Sequence, residues 1–391
     1  MTDREETDDT LFDLPLDRRG GDSLKWNKYA STHPDAIGAW VADMDFSAPP
    51  AVLAALRERL DGPALGYCDE PPDLLPTVIA RLERLYNWRV QPEWIVSIPG
   101  IVPGLFGAVR ASGTVGSGVI AQTPNYPRFY SAAQFSDRSL LPLPSTLQDG
   151  RWHIDIQQLE THAENASTLL LCNPHNPLGT VLTKDELGEI ARVCLAHDIT
   201  VCSDEVHAEL ILDDSATHVP IASLSESIAR QSITLIGPGK AFNLAGILGF
   251  GLAIIPDPTM RQAFSRQVYG VSGHVSGLAQ LAALTAYRDC DAWLQQLIRY
   301  LRGNRDALQA GVATIDGISM THVEATFLAW LDVRALELPN PHAFFLSHGV
   351  ALSDGAEMGA AGYLRLNFGC ARTTLDTLLA RIRGAVDSLS R

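Results

Sequence analysis

Between Trp94 and Pro256, six short aliphatic runs (WIVSIPG, GVIAQTP, TLLLCNP, ITVCSDEV, SITLIGPG and LGFGLAIIP) are separated by stretches with helical spacing. No other feature limits the fold as strongly. Strands alternating with helices predict an α/β sheet, because a parallel neighbour is reached only through a crossover connection. One crossover is fully punctuated: Thr183 and Glu186 make a capping box ahead of LGEIARVCLAH, whose apolar positions recur at helical spacing, and a strand follows. Downstream, AWLQQLIRYLRGNRDALQA predicts a long helix leading out of the sheet. TFLAWLDV and GYLRLNFG predict strands, and a last helix begins near Thr374, so this part forms a smaller α+β domain. The acidic first ~20 residues predict an arm that orders only by packing on a partner subunit or on the small domain. There is no internal repeat and no low-complexity tract, which excludes a solenoid.

The chain has 391 residues, 46% of them hydrophobic, enough for two domains and a large core. Its net charge of -15 argues against nucleic acid or an anionic membrane as partner, and a small-molecule substrate fits better. The six cysteines (Cys68, Cys172, Cys194, Cys202, Cys290 and Cys370) are scattered with no CxxC pair, as expected of cytosolic thiols. The amino terminus has neither a basic n-region nor an apolar h-region, and the longest later apolar run, GILGFGLAII, falls short of a membrane span. A cytoplasmic protein is expected.

In an open α/β sheet the ligand lies beyond the carboxyl ends of the strands, so polar residues directly after apolar runs carry most weight. TLLLCNPHNPLGT ends in Asn173 and Asn176, ITVCSDEVHAEL ends in Asp204 with His207 three residues on, and SITLIGPGK ends in Lys240. GVIAQTPNYPRFY ends at Tyr126, while SIPGIVPGL runs from a strand into Gly100, with Pro103 suited to a first helical turn. Singly, each has a bland reading as a cap, turn or packing residue. Together, an amine, a carboxylate and a helix start are what pyridoxal phosphate requires. The amine forms a Schiff base, the carboxylate holds the pyridine nitrogen protonated, and backbone N–H groups bind phosphate. Asn176 and His207 are placed to bond the ring's phenolic oxygen, and Tyr126 offers a face for stacking.

The motifs NPHNPLGT, SDEVHAEL and KAFNLAG, with WVADMDF near the start and YLRLNFGCAR near the end, resemble the class I/II aminotransferase superfamily. More narrowly they resemble its cystathionine β-lyase or cysteine-S-conjugate β-lyase branch, from about Trp26 to the carboxyl terminus. The resemblance implies PLP fold type I, an α/β fold in which a large domain carries a mostly parallel seven-stranded sheet between helices. It implies a cofactor domain over 49–291, a small α+β domain from 26–48 and 292–391, and a homodimer with shared active sites, with the mobile arm expected from composition over 1–25. By the same resemblance, Lys240 is the Schiff-base lysine, Asp204 the partner of the pyridine nitrogen, and Tyr126 the stacking aromatic; these three are the expected catalytic set. Asn176 and His207 face the phenolic oxygen, Gly100, Ile101 and Val102 form the phosphate turn, and Tyr67 reaches the neighbouring subunit's phosphate. Arg365 forks onto the substrate α-carboxylate, with Ala42 and Asn176 also on the substrate side.

Family members usually carry hydroxyl residues one and three positions before the lysine, where this chain has Gly239 and Gly237. Each missing hydroxyl bond weakens the hold on the cofactor by ~1 kcal/mol. The implied reaction is α,β-elimination from a cysteine S-conjugate to thiol, pyruvate and ammonia. The rivals are transamination, oxidative or decarboxylating deamination of a similar conjugate, and a non-catalytic regulatory binding protein. No metal is expected.

Overall fold

A computed structural model of the chain describes residues 10–62, 64–247 and 249–390. Among the described residues, fourteen strands form three sheets. The short β1 (Ile37–Gly38) pairs in parallel with β12 (Val350–Ala351), tying the early chain to the late one. The large sheet contains β2 (Ile95–Ile98), β3 (Gly118–Thr123), β4 (Ser139–Gln148), β5 (Arg151–Ile154), β6 (Ala166–Cys172), β7 (Thr200–Asp204), β8 (Ser232–Ile236) and β9 (Gly251–Ile254), in the order β2-β9-β8-β7-β6-β3-β4-β5. The third sheet, in the order β10-β11-β14-β13, joins β10 (Ser319–Met320), β11 (Leu328–Asp332), β13 (Ser353–Asp354) and β14 (Tyr363–Asn367).

The six runs read from the sequence are β2, β3, β6, β7, β8 and β9. From β4 to β8 the neighbours are parallel, and β9 runs against β8. The large sheet has eight strands rather than the seven of the expected frame, because β5 folds back on the end of β4 as an antiparallel hairpin. Asp149 and Gly150 make that turn with φ of 50° and 79°, the left-handed pair that suits a tight hairpin.

Along each central strand, alternate residues serve opposite layers. Val119, Ala121, Leu170 and Cys202 pack with Leu105, Phe129 and Phe264 on one face. Ile120, Leu169, Leu171 and Val201 pack with Leu187, Ile190 and Cys194 on the other. Helices cover both faces, so β7 is buried throughout and its last residue, Asp204, enters the interior with it. The capping box expected at Thr183 and Glu186 is formed in full at the start of the helix Lys184–Ala196. The long helix runs from Asp291 to Val312 and the last from Arg372 to Asp387.

Of the arm expected over residues 1–25, residues 1–9 lie outside the described residues. Residues 10–25 lie on the segments assigned to the small domain. Phe12 is buried against Phe46, Trp293 and Tyr300, and buried Lys25 forms an ion pair with Asp45 at 2.7 Å. Among the described residues no helix is long and apolar enough to cross a membrane.

Candidate functional site

A cavity of about 500 Å3 opens at the carboxyl ends of β6, β7 and β8. The strand ends deliver its polar groups: Asp204 closes β7, Asn176 lies four residues past β6, and Lys240 lies four residues past β8. Ala42, Ile101, Val102, Tyr126, His207 and Arg365 also line it. Gly100 caps the helix Ile101–Ala111 with φ of 115°, a left-handed conformation that favours glycine. No side chain caps that helix, so its first N–H groups are available to an anion. Tyr67 is fully exposed and outside the cavity, its ring set edge-on to His274.

Lys240 donates to the carbonyl of Ala42 at 2.6 Å. Burial, with the nearby Arg365 charge, pushes its ammonium down from 10.5 to about 8, against the pull of Asp43 and Asp204. Asp204 moves the opposite way. Burial raises its carboxyl to about 6, although the N–H of Val206 at 3.1 Å and the charge of Lys240 favour the ionised form. Burial keeps His207 well below the ordinary histidine range, hence neutral, and its Nδ1 has no partner.

Arg365 is 6% exposed and faces no carboxylate. It donates to Asn176 Oδ1 at 2.8 Å, to the carbonyl of Trp40 at 2.7 Å and to Ser353 Oγ at 3.1 Å, while its Nε is unpartnered. Burial lowers it to about 10. A guanidinium buried among neutral acceptors is costly unless an anion completes it. The site therefore offers one place for a carboxylate, at Arg365, and a second for an anion, at the helix start after Gly100.

Ten of the eleven residues singled out from the sequence line or adjoin this cavity, and Tyr67 does not. Trp40, Ser353, Glu357 and Met358 were not singled out, yet they line it too. Ser353 and Glu357 come from chain far from the strand ends and carry no local signature. Trp40 begins the WVADMDF motif, which was the available signal.

The fold and the cavity together define a class: α/β proteins with helices on both faces of the sheet and a small-molecule site at the strand ends, holding a half-buried lysine, a buried aspartate and an arginine with no carboxylate partner. Residues 40–382 match the family described as aminotransferase class I and II, and the chain belongs to that family. It is 37% identical over 387 residues to cystathionine β-lyase PatB of Bacillus subtilis (strain 168), covering 96% of this chain and 99% of that protein. The crystal structure of OvoB superposes with a TM-score of 0.93 at 41% identity, over 96% of this chain and 99% of that one. Cystalysin from Treponema denticola, whose structure contains a pyridoxal 5'-phosphate cofactor, superposes with a TM-score of 0.93 at 31% identity, over 97% and 99%.

Proposed function

We propose that the protein is a pyridoxal-phosphate-dependent carbon–sulfur β-lyase acting on a cysteine S-conjugate or a cystathionine-like amino acid. The observation that carries this reading is the pairing, in one cavity, of a lysine amine lowered to about 8 with a buried guanidinium that faces no carboxylate. The residues fit the cofactor. The uncapped helix start after Gly100 suits its phosphate, Asp204 its pyridine nitrogen, and the unpartnered Nδ1 of His207 and the amide of Asn176 its phenolic oxygen. Tyr126, at the cavity wall, offers a ring to stack on.

When bound, the cofactor supplies an electron sink for the pair left at the substrate α-carbon. Arg365 binds the substrate carboxylate and fixes which Cα bond faces Lys240. The Lys240 amine removes the α-proton; being lowered to about 8, it is neutral in a useful fraction near pH 7. Asp204 would hold a proton on the cofactor's pyridine nitrogen. The pair left at the α-carbon then closes a Cα–Cβ double bond as the Cβ–S bond breaks, the pair of that bond leaving on sulfur. The released enamine takes up water to give pyruvate and ammonia.

Support for the lyase over the transaminase comes from PatB, named a cystathionine β-lyase, at 37% identity. The deciding experiment is an assay of several cysteine conjugates with and without a keto acid. Stoichiometric pyruvate and free thiol without any acceptor is expected; amino transfer that requires the keto acid would overturn the reading.

Fully exposed Tyr67, with Leu65 and Val271 also exposed, is read as part of a homodimer surface through which each Tyr67 reaches its partner's cofactor phosphate. Residues 49–291 are read as the cofactor-binding domain and 26–48 with 292–391 as the smaller one, in a cytoplasmic enzyme.

Gly237 departs from the family pattern but is not crowded. A Cβ there would meet Gly251 Cα and the Phe250 carbonyl at 3.6 Å and Ile101 Cδ1 at 3.8 Å, all ordinary contacts. Gly237→Ser is expected to fit and to add one hydroxyl near the helix start. Cofactor titration by absorbance should show a dissociation constant about fivefold lower, equivalent to ~1 kcal/mol. An unchanged constant would show that the glycine costs the cofactor nothing.

A further inference from the structure

The segment Trp40–Phe46 borders the cavity through Trp40, Val41 and Ala42, and every one of its carbonyls except that of Asp45 is taken by a side chain. Trp40 accepts from Arg365 at 2.7 Å and Ser353 at 2.6 Å. Val41 and Asp43 both accept from Asn367 Nδ2 at 2.6 Å, and Asp43 also from Lys25 at 3.2 Å. Ala42 accepts from Lys240. Met44 and Phe46 accept from Asn243 Nδ2 at 3.0 and 2.7 Å, while Asn243 Oδ1 takes the N–H of Met44 at 3.0 Å.

Two grips are therefore paired with the two site cations. Asn367 stands two residues past Arg365 on β14, so both side chains leave the same face of that strand and meet the same strap. Asn243 stands three residues past Lys240, where the backbone turns left-handed at φ of 52°, and its amide closes three bonds on the strap just beyond Ala42. The strap is the common reference that spaces the amine from the guanidinium.

We propose that Asn243 is a positioning residue: by clamping Met44 and Phe46 it fixes the strap whose Ala42 carbonyl receives Lys240, and so keeps that amine aimed into the cavity and shielded from water. The assignment rests on the reading of Lys240 as the reactive amine. The charged and titratable groups around that amine are Arg365, Asp204, His207 and Asp43, and Asp43 is itself paired with Arg18 at 2.9 Å. Freeing the strap admits water and relieves the burial that lowers the amine.

The test uses the full-length chain without cofactor and reads the pH dependence of acylation of Lys240 by mass spectrometry, with exposed Lys184 as internal reference. Asn243→Gly keeps the left-handed backbone and deletes the clamp. Its labelling midpoint is expected to rise by about one unit, a tenfold smaller neutral fraction at pH 7. Asn243→Ser removes the amide without adding a charge beside the amine, keeps at most one short hydroxyl bond to the strap, and should move the midpoint in the same direction by less; it also serves if the glycine variant does not fold. A lower melting temperature with an unshifted Lys240 midpoint in either folded variant would overturn the proposal and leave Asn243 a purely structural residue. Failure of the lyase reading shows up separately, as a parent enzyme that releases no pyruvate while the midpoint still shifts.

Discussion

Lys240→Ala is expected to lose at least about 10⁴-fold in pyruvate and thiol release, since on the proposed reading it removes both the proton acceptor at the α-carbon and the cofactor's covalent anchor. A second consequence separates this loss from unfolding. The ammonium is lowered from 10.5 to about 8, so between those values the unfolded chain binds more protons than the folded one. The cofactor-free parent should gain stability as pH rises from about 8 toward 10.5, and the gain should be absent below that window. In Lys240→Ala this limb disappears. Thermal melts across pH 7 to 10.5, beside a thiol assay, check both statements. Appreciable thiol release by a folded variant would remove Lys240 from the reaction.

The place of Lys240 and Asp204 at the cavity was legible in the sequence for one reason: Asp204 ends, and Lys240 follows within four residues, an apolar run that could only be a buried strand, and strand ends in such sheets face the ligand. Gly100 was legible as the join between a strand and a helix start. The hairpin of β4 and β5 was hidden by Pro142 and Pro144, which read against a strand because proline gives no N–H to a ladder. The structure tolerates them because β5 pairs only with Ser145–Gln148, leaving the outer side of the preceding stretch as a sheet edge. The Asp149–Gly150 turn was the signal that could have been read. The strap was illegible for a different reason. Its contribution is made by backbone carbonyls, which every residue has, and by Asn243 and Asn367, whose pairing with residues some 200 and 325 positions away leaves no periodicity behind. Tyr67 marks a third limit: it lies exposed outside the cavity, and the role the resemblance implies for it requires a second chain.

Asp204→Asn is expected to separate stability from activity. The native carboxyl titrates near 6 instead of 3.8, chiefly through burial, so the folded chain holds a proton that the unfolded chain has released. Stability of the cofactor-free parent should fall as pH rises from about 4 to 6 and stay lower above that, by roughly 3 kcal/mol at 1.36 kcal/mol per unit. Asparagine has no proton to lose, so the cofactor-free variant should melt at or above the parent at pH 8. With cofactor bound the order reverses. On the proposed reading the carboxylate would then face a protonated pyridine nitrogen that repays its burial, whereas an amide would not hold that proton. Turnover should drop on the order of 10³-fold, about 4 kcal/mol of transition-state stabilisation, with substrate KM changed far less because Arg365 is untouched. Melts of cofactor-free and loaded protein at pH 8, with steady-state kinetics, test the pair of expectations. A variant that is both less stable without cofactor and still active would mean that Asp204 is held in place by the fold and not by its work on the cofactor.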